Sequence, residues 1–93
     1  MLSSAQRKEL KARAHSLEPV VIIGGKGLTA EVVAEIDRAL KSHELIKVRA
    51  PSMERFERAQ AFAAICAQTG CEGVQQVGKV FVLFRKRDEP AQG

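Results

Sequence analysis

The chain has 93 residues and a mass of 10.2 kDa, enough for one domain and too short for a two-half dinucleotide fold or an eight-stranded barrel. Its 45% apolar and 28% charged residues are the composition of a folded globular protein, and no apolar run reaches the ~18 residues of a membrane span. The formal charge of +4 divides into +3 over residues 1–26, −2 over 27–46 and +3 over 47–93, so a fold that joins the two ends builds one basic face suited to a polyanion.

Residues 3–15 are expected to form a helix, with Ser3 or Ser4 as its N-cap. Leu10, Ala14 and Leu17 fall on one side of it, and Lys8, Lys11 and His15 on the opposite side with Arg7 at the edge. The start of the chain lacks the apolar stretch of a secretory signal, which predicts a cytoplasmic protein.

After Pro19, the unbroken run Val20-Val21-Ile22-Ile23 predicts a strand buried on both faces. It leads into Gly24-Gly25-Lys26-Gly27, and Thr29 is placed to cap a second helix running to about residue 42. Val32, Ile36, Ala39 and Leu40 mark that helix's buried stripe, and Asp37 with Lys41 forms an i,i+4 pair on its outer face. Leu45 to Ala50 alternates: Ile46 and Val48 point one way, Leu45, Lys47 and Arg49 the other.

Pro51 ends this strand, and Ser52 is the expected cap of a third helix reaching Thr69, with Phe62, Ile65 and Cys66 turned to the core and Gly70 as its stop. Two strands follow, Val74–Val77 and Val80–Arg85, joined by Gly78-Lys79, with glycine where a type II′ hairpin needs it. Residues 1–87 are expected to be the domain and residues 88–93 a disordered tail. The order α-β-α-β-α-β-β predicts an α/β (α+β) fold, a four-stranded mixed sheet packed with three helices and joined by right-handed crossovers.

The feature with most chemical meaning is the glycine turn between a strand and a helix. Glycines let backbone N–H groups approach a phosphate, the helix N-terminus adds partial positive charge, and Lys26 adds a full one. Gly25-Lys26-Gly27-Leu28-Thr29-Ala30 matches a dinucleotide fingerprint in letters, yet the chain is too short for that fold. Gly27-Leu28-Thr29 lacks the lysine of a P-loop. A GxxG clamp on a nucleic-acid backbone remains, as does a tight turn without a ligand.

Catalytic and metal chemistry find little support. His15 and His43 are the only histidines, Cys66 and Cys71 form no CxxC pair, and no Ser/His/Asp set or paired-carboxylate cleft can be argued. The chain is expected to be no enzyme and to need no cofactor or metal. The aromatics Phe56, Phe62, Phe81 and Phe84 are read as apolar-run residues, which leaves no exposed aromatic row for stacking bases.

The stretches Ala14-His15-Ser16-Leu17-Glu18-Pro19-Val20-Val21, Ile23-Gly24-Gly25-Lys26-Gly27-Leu28-Thr29 and His43-Glu44-Leu45-Ile46-Lys47-Val48 resemble the CRM domain (chloroplast RNA splicing and ribosome maturation), most of all its small bacterial YhbY-like members. The resemblance runs from about Ser3 through Arg85. It implies an RNA-binding domain whose fold is similar to the C-terminal domain of translation initiation factor three, and association with precursors of the large ribosomal subunit. Its GxxG loop maps onto Gly24, Gly25, Lys26 and Gly27.

From charge, Lys8, Lys11, Arg13 and His15 are expected to flank that loop with Thr29, and Lys47, Arg49, Arg85, Lys86 and Arg87 to extend the surface. The expected partner is RNA, bound by a monomer away from membranes. The competing readings are a DNA-binding architectural protein of the Alba type and a nucleotide-binding enzyme or regulator.

Overall fold

The computed structural model describes residues 2–87, so the expected tail over 88–93 lies outside the described residues. The elements are α1 (Ser4–Ala14), β1 (Pro19–Ile22), α2 (Ala30–His43), β2 (Leu45–Arg49), α3 (Arg55–Thr69), β3 (Glu72–Val77) and β4 (Val80–Phe84). The four strands form one mixed sheet in the order β1-β2-β4-β3, with β1 parallel to β2 and β4 antiparallel to both its neighbours.

Helices cover both faces of the sheet. On one, Ile36 and Leu40 of α2 and Ile65 of α3 pack on Val21, Ile46, Val48, Phe81 and Leu83. On the other, Leu10 and Ala14 of α1 pack on Leu45, Val74 and Val82. The alternation of β2 is therefore divided between two cores, with Ile46 and Val48 in the larger and Leu45 in the smaller.

Local sequence sets most of the boundaries. Ser3 caps α1 in a capping box: Gln6 N–H donates to Ser3 Oγ at 3.1 Å, and Ser3 N–H donates to Gln6 Oε1 at 2.8 Å. Thr29 caps α2, its Oγ1 accepting from Val32 N–H at 3.2 Å. Gly70 ends α3 with φ +73°, the left-handed conformation that glycine adopts without strain. Gly78 has φ +56° while Lys79 does not have a positive φ, as a type II′ turn requires.

Four expectations are corrected. Ser52 does not cap α3; the N-cap is Glu54, whose N–H donates to Glu57 Oε1 at 3.1 Å. β3 starts at Glu72, before the expected Val74, because a bulge between Gly73 and Gln75 carries the ladder through two residues that do not alternate. β1 is not buried on both faces: it is an edge strand, α1 packs over β2, β4 and β3, and Val20 and Ile22 remain 49% and 67% exposed. Phe56, read as part of an apolar run, instead stands between Arg55 and Glu57 and is 71% exposed near the start of α3.

Candidate nucleic-acid interface

The glycine loop stands where β1 ends. Ile23 N–H donates to the Arg49 carbonyl at 2.8 Å, which anchors the loop's first residue beside the end of β2. Gly27 N–H donates to the Gly24 carbonyl at 3.0 Å, closing a turn with Gly25 and Lys26 at its tip. Neither tip residue has a positive φ, whereas Gly27 has φ +77° and needs glycine for its backbone conformation. A Cβ at Gly24 or Gly25 would meet nothing of the protein within 4 Å. Neither sterics nor backbone angle requires glycine at 24 and 25, so the loop's open backbone is available to something outside the chain. Lys26 is exposed at the tip, and Thr29, while capping α2, keeps its hydroxyl proton to donate.

The sheet places further cations beside the loop. Strand register aligns Ile22, Arg49, Val80 and Val77 as one row across all four strands, and Lys47, Val82 and Gln75 as the next. α1 lies over the second row, where Lys11, His15, Lys47 and Gln75 line one groove with Val77 and Val80. The first row lies beyond α1, with Arg49 exposed. Lys8 is exposed one turn before Lys11 on the same flank of the helix.

Lys79 belongs to this end as well. Its carbonyl accepts from Ala50 N–H at 2.6 Å, which holds the β3–β4 turn against the end of β2, and its side chain is exposed. Only the cross-strand register reveals this neighbour; in sequence it is a lysine in a hairpin turn. Glu31, Glu54 and Glu57 stand at the starts of α2 and α3, the helices of the opposite face.

Other expected cations are elsewhere. Arg13 projects from the far flank of α1 into a groove with Leu17, Val20 and His43, near the start of β2 rather than its end. A residue at position 13 lies about 140° around the helix from Lys8, so charge alone could not keep it with Lys8, Lys11 and His15.

Arg85 is a structural tie. Its guanidinium donates to Asp37 Oδ1 and to the Thr69 carbonyl, both at 2.6 Å, and to the Asp37 carbonyl at 3.1 Å. Asp37 also pairs with Lys41 at 3.4 Å, and the Arg85 hydrogen bond holds its carboxyl below the usual aspartate range, against some desolvation. Arg87 donates its N–H to Glu44 Oε2 at 2.8 Å and its guanidinium to the Ser42 carbonyl at 3.3 Å. That backbone hydrogen bond keeps the Glu44 carboxyl below its ordinary range. Lys86 lies in the same cluster with Asp37 and Lys41. Arg7, a cation at the edge of the basic side of α1, donates to the Gly73 and Val74 carbonyls at 2.6 and 3.1 Å, the backbone at the β3 bulge.

Among the described residues, no three His, Cys, Asp or Glu side chains gather as a metal ion would require, and no helix is long and apolar enough to cross a membrane. Cys66 and Cys71 are free thiols with sulfurs 3.7 Å apart. Burial, and secondarily Cys71, push the Cys66 thiol up to about 12, so it is a poor nucleophile at neutral pH.

Comparison with known proteins gives a consistent set of relatives. A Pseudomonas aeruginosa protein named a probable RNA-binding protein is 42% identical over 89 residues, covering 96% of this chain and 86% of the relative. A Haemophilus influenzae RNA-binding protein is 44% identical over 88 residues, covering 95% and 89%. The solution structure of a hypothetical Staphylococcus aureus protein, proposed to bind RNA, superposes with a TM-score of 0.84 at 29% identity, covering 96% of this chain and 93% of that one. The family model of the CRS1 / YhbY (CRM) domain matches residues 2–85, and the chain belongs to that family.

Proposed function

We propose that this protein binds RNA, namely ribosomal RNA in precursors of the large ribosomal subunit, and assists their assembly as a cytoplasmic monomer without catalysing a reaction. The observation that carries the reading is an open glycine loop, with Lys26 exposed at its tip, anchored through Ile23 to the Arg49 end of β2, the strand whose Lys47 shares a groove with Lys11 and His15. Backbone N–H groups and cations so arranged hold phosphates and fix the orientation of a polynucleotide. The RNA-binding names of the relatives support the choice of RNA among polyanions. The raised Cys66 thiol is a poor nucleophile, which favours binding over thiol-based catalysis.

Sedimentation of tagged protein from lysate tests this, in low and high salt, with and without ribonuclease. Salt-sensitive co-migration with large-subunit precursors, abolished by ribonuclease, is expected. Protein that stays at the top of the gradient in every condition would refute the ribosomal reading, and titrations against free RNA and duplex DNA would then separate RNA binding from DNA binding.

A further inference from the structure

The row Ile22–Arg49–Val80–Val77 combines features that phosphate binding does not require. Ile22 is 67% and Val77 56% exposed, while β-branched polar residues would serve the sheet equally at such solvent-facing positions. Ile22 is paired in register with Arg49, and Arg49 with Val80, whose other neighbour is Val77. An exposed cation is thus set between aliphatic groups, with the Lys47 row on one side and the glycine loop beginning two residues after Ile22.

A double helix offers such a surface phosphates, sugars and base edges but no base faces, because its bases are stacked inside. Its phosphates would satisfy Arg49 and Lys47 but leave Ile22 and Val77 with no apolar partner. An unpaired strand presents both parts, a charged backbone and apolar base faces whose burial against an aliphatic side chain removes them from water.

We propose that this row is a seat for unpaired nucleotides, with base faces on Ile22 and Val77 and the intervening phosphate on Arg49. The proposal rests on the RNA reading above and narrows its substrate to single-stranded loops or ends rather than paired stems. The aliphatic surface makes the contact tolerant of base identity.

The full chain is titrated by fluorescence anisotropy with a short uridine oligonucleotide and with a fully paired RNA duplex of equal length, over a range of salt. The wild-type protein is expected to prefer the uridine strand. The double variant Ile22→Thr/Val77→Thr keeps β-branched side chains on exposed positions, so its thermal melt should match wild type. It should bind the uridine strand about fivefold more weakly, the loss of ~1 kcal/mol of apolar contact, with unchanged salt slope and unchanged duplex affinity. Arg49→Ala should weaken both RNAs and flatten both slopes.

Equal loss on both RNAs, no loss on either, or a wild-type preference for duplex would overturn the seat while leaving RNA binding standing. Wild-type protein that binds neither RNA in low salt would overturn the RNA reading itself.

Discussion

Arg85 and Asp37, 48 residues apart in sequence, are joined at 2.6 Å, and the same guanidinium also caps the Thr69 carbonyl at the end of α3. One side chain at the end of β4 thus fastens the outer side of α2 to the last turn of α3. Arg85→Met should lower stability by about 2 kcal/mol, because charge-assisted hydrogen bonds are lost and acceptors are left without a donor. A urea melt checks the loss. The salt slope of RNA binding should remain that of wild type.

The same pair sets an acid limit. Asp37 is held below its ordinary range in the folded state, so it contributes stability that is full above the ordinary aspartate range and is lost as pH falls through the lower folded value. Asp37→Asn should be less stable than wild type at neutral pH, and the difference should shrink progressively in acid. Melting temperatures from pH 7 to about pH 2 give the comparison; a difference that stays constant with pH would refute it.

Position on the sheet, rather than charge alone, should decide which cations matter for binding. Lys26→Ala and Arg49→Ala should each weaken RNA binding and reduce the salt slope by about one ion or less. Arg13→Ala, on the other flank of α1, should change neither. Filter binding at several salt concentrations distinguishes the two classes.

The loop glycines should separate into two kinds. Gly27→Ala places a side chain at φ +77° and should cost about 1 kcal/mol of stability. Gly24→Ala meets open space, so the protein should melt as wild type yet bind RNA more weakly if phosphates approach that backbone. Replacing Gly24 or Gly27 by Asp should harm binding more, by adding a carboxylate at the loop. A folded Gly27→Asp protein with full RNA affinity would remove the loop from the interface.

The thiols should be slow to react. With Cys66 pushed up to about 12 and Cys71 buried, alkylation at pH 8 should proceed far below the rate of an exposed cysteine and recover in urea. Mass spectrometry of iodoacetamide adducts with time measures this.

The sequence was most legible where a residue's role is local. Ser3, Thr29 and Gly70 act within one turn of their own backbone, and the alternation of β2 assigns its side chains before any partner is known. Roles set by distant neighbours were not legible. The run Val20–Ile23 has the composition of a doubly buried strand, and only the reach of α1 leaves Val20 and Ile22 exposed. Arg85 has the appearance of a surface cation until Asp37 and Thr69 are placed beside it. The glycine loop, Lys47 and Arg49 stand out in the sequence by pattern and charge, whereas only the register of β2, β4 and β3 sets Lys79 at the same end of the sheet.

The position of β4 in the sheet has a consequence for how the chain is made. The last strand among the described residues is inserted between β2 and β3, pairing Leu45 with Phe84 and Val77 with Val80. Until that strand is available, β2 and β3 have no common partner, and Phe81, Val82 and Leu83 are missing from the two cores on either side of the sheet. No shorter N-terminal piece can close both layers. Closing both layers therefore needs the chain as far as residue 84, and long-range pairing of this kind slows folding relative to local helix formation.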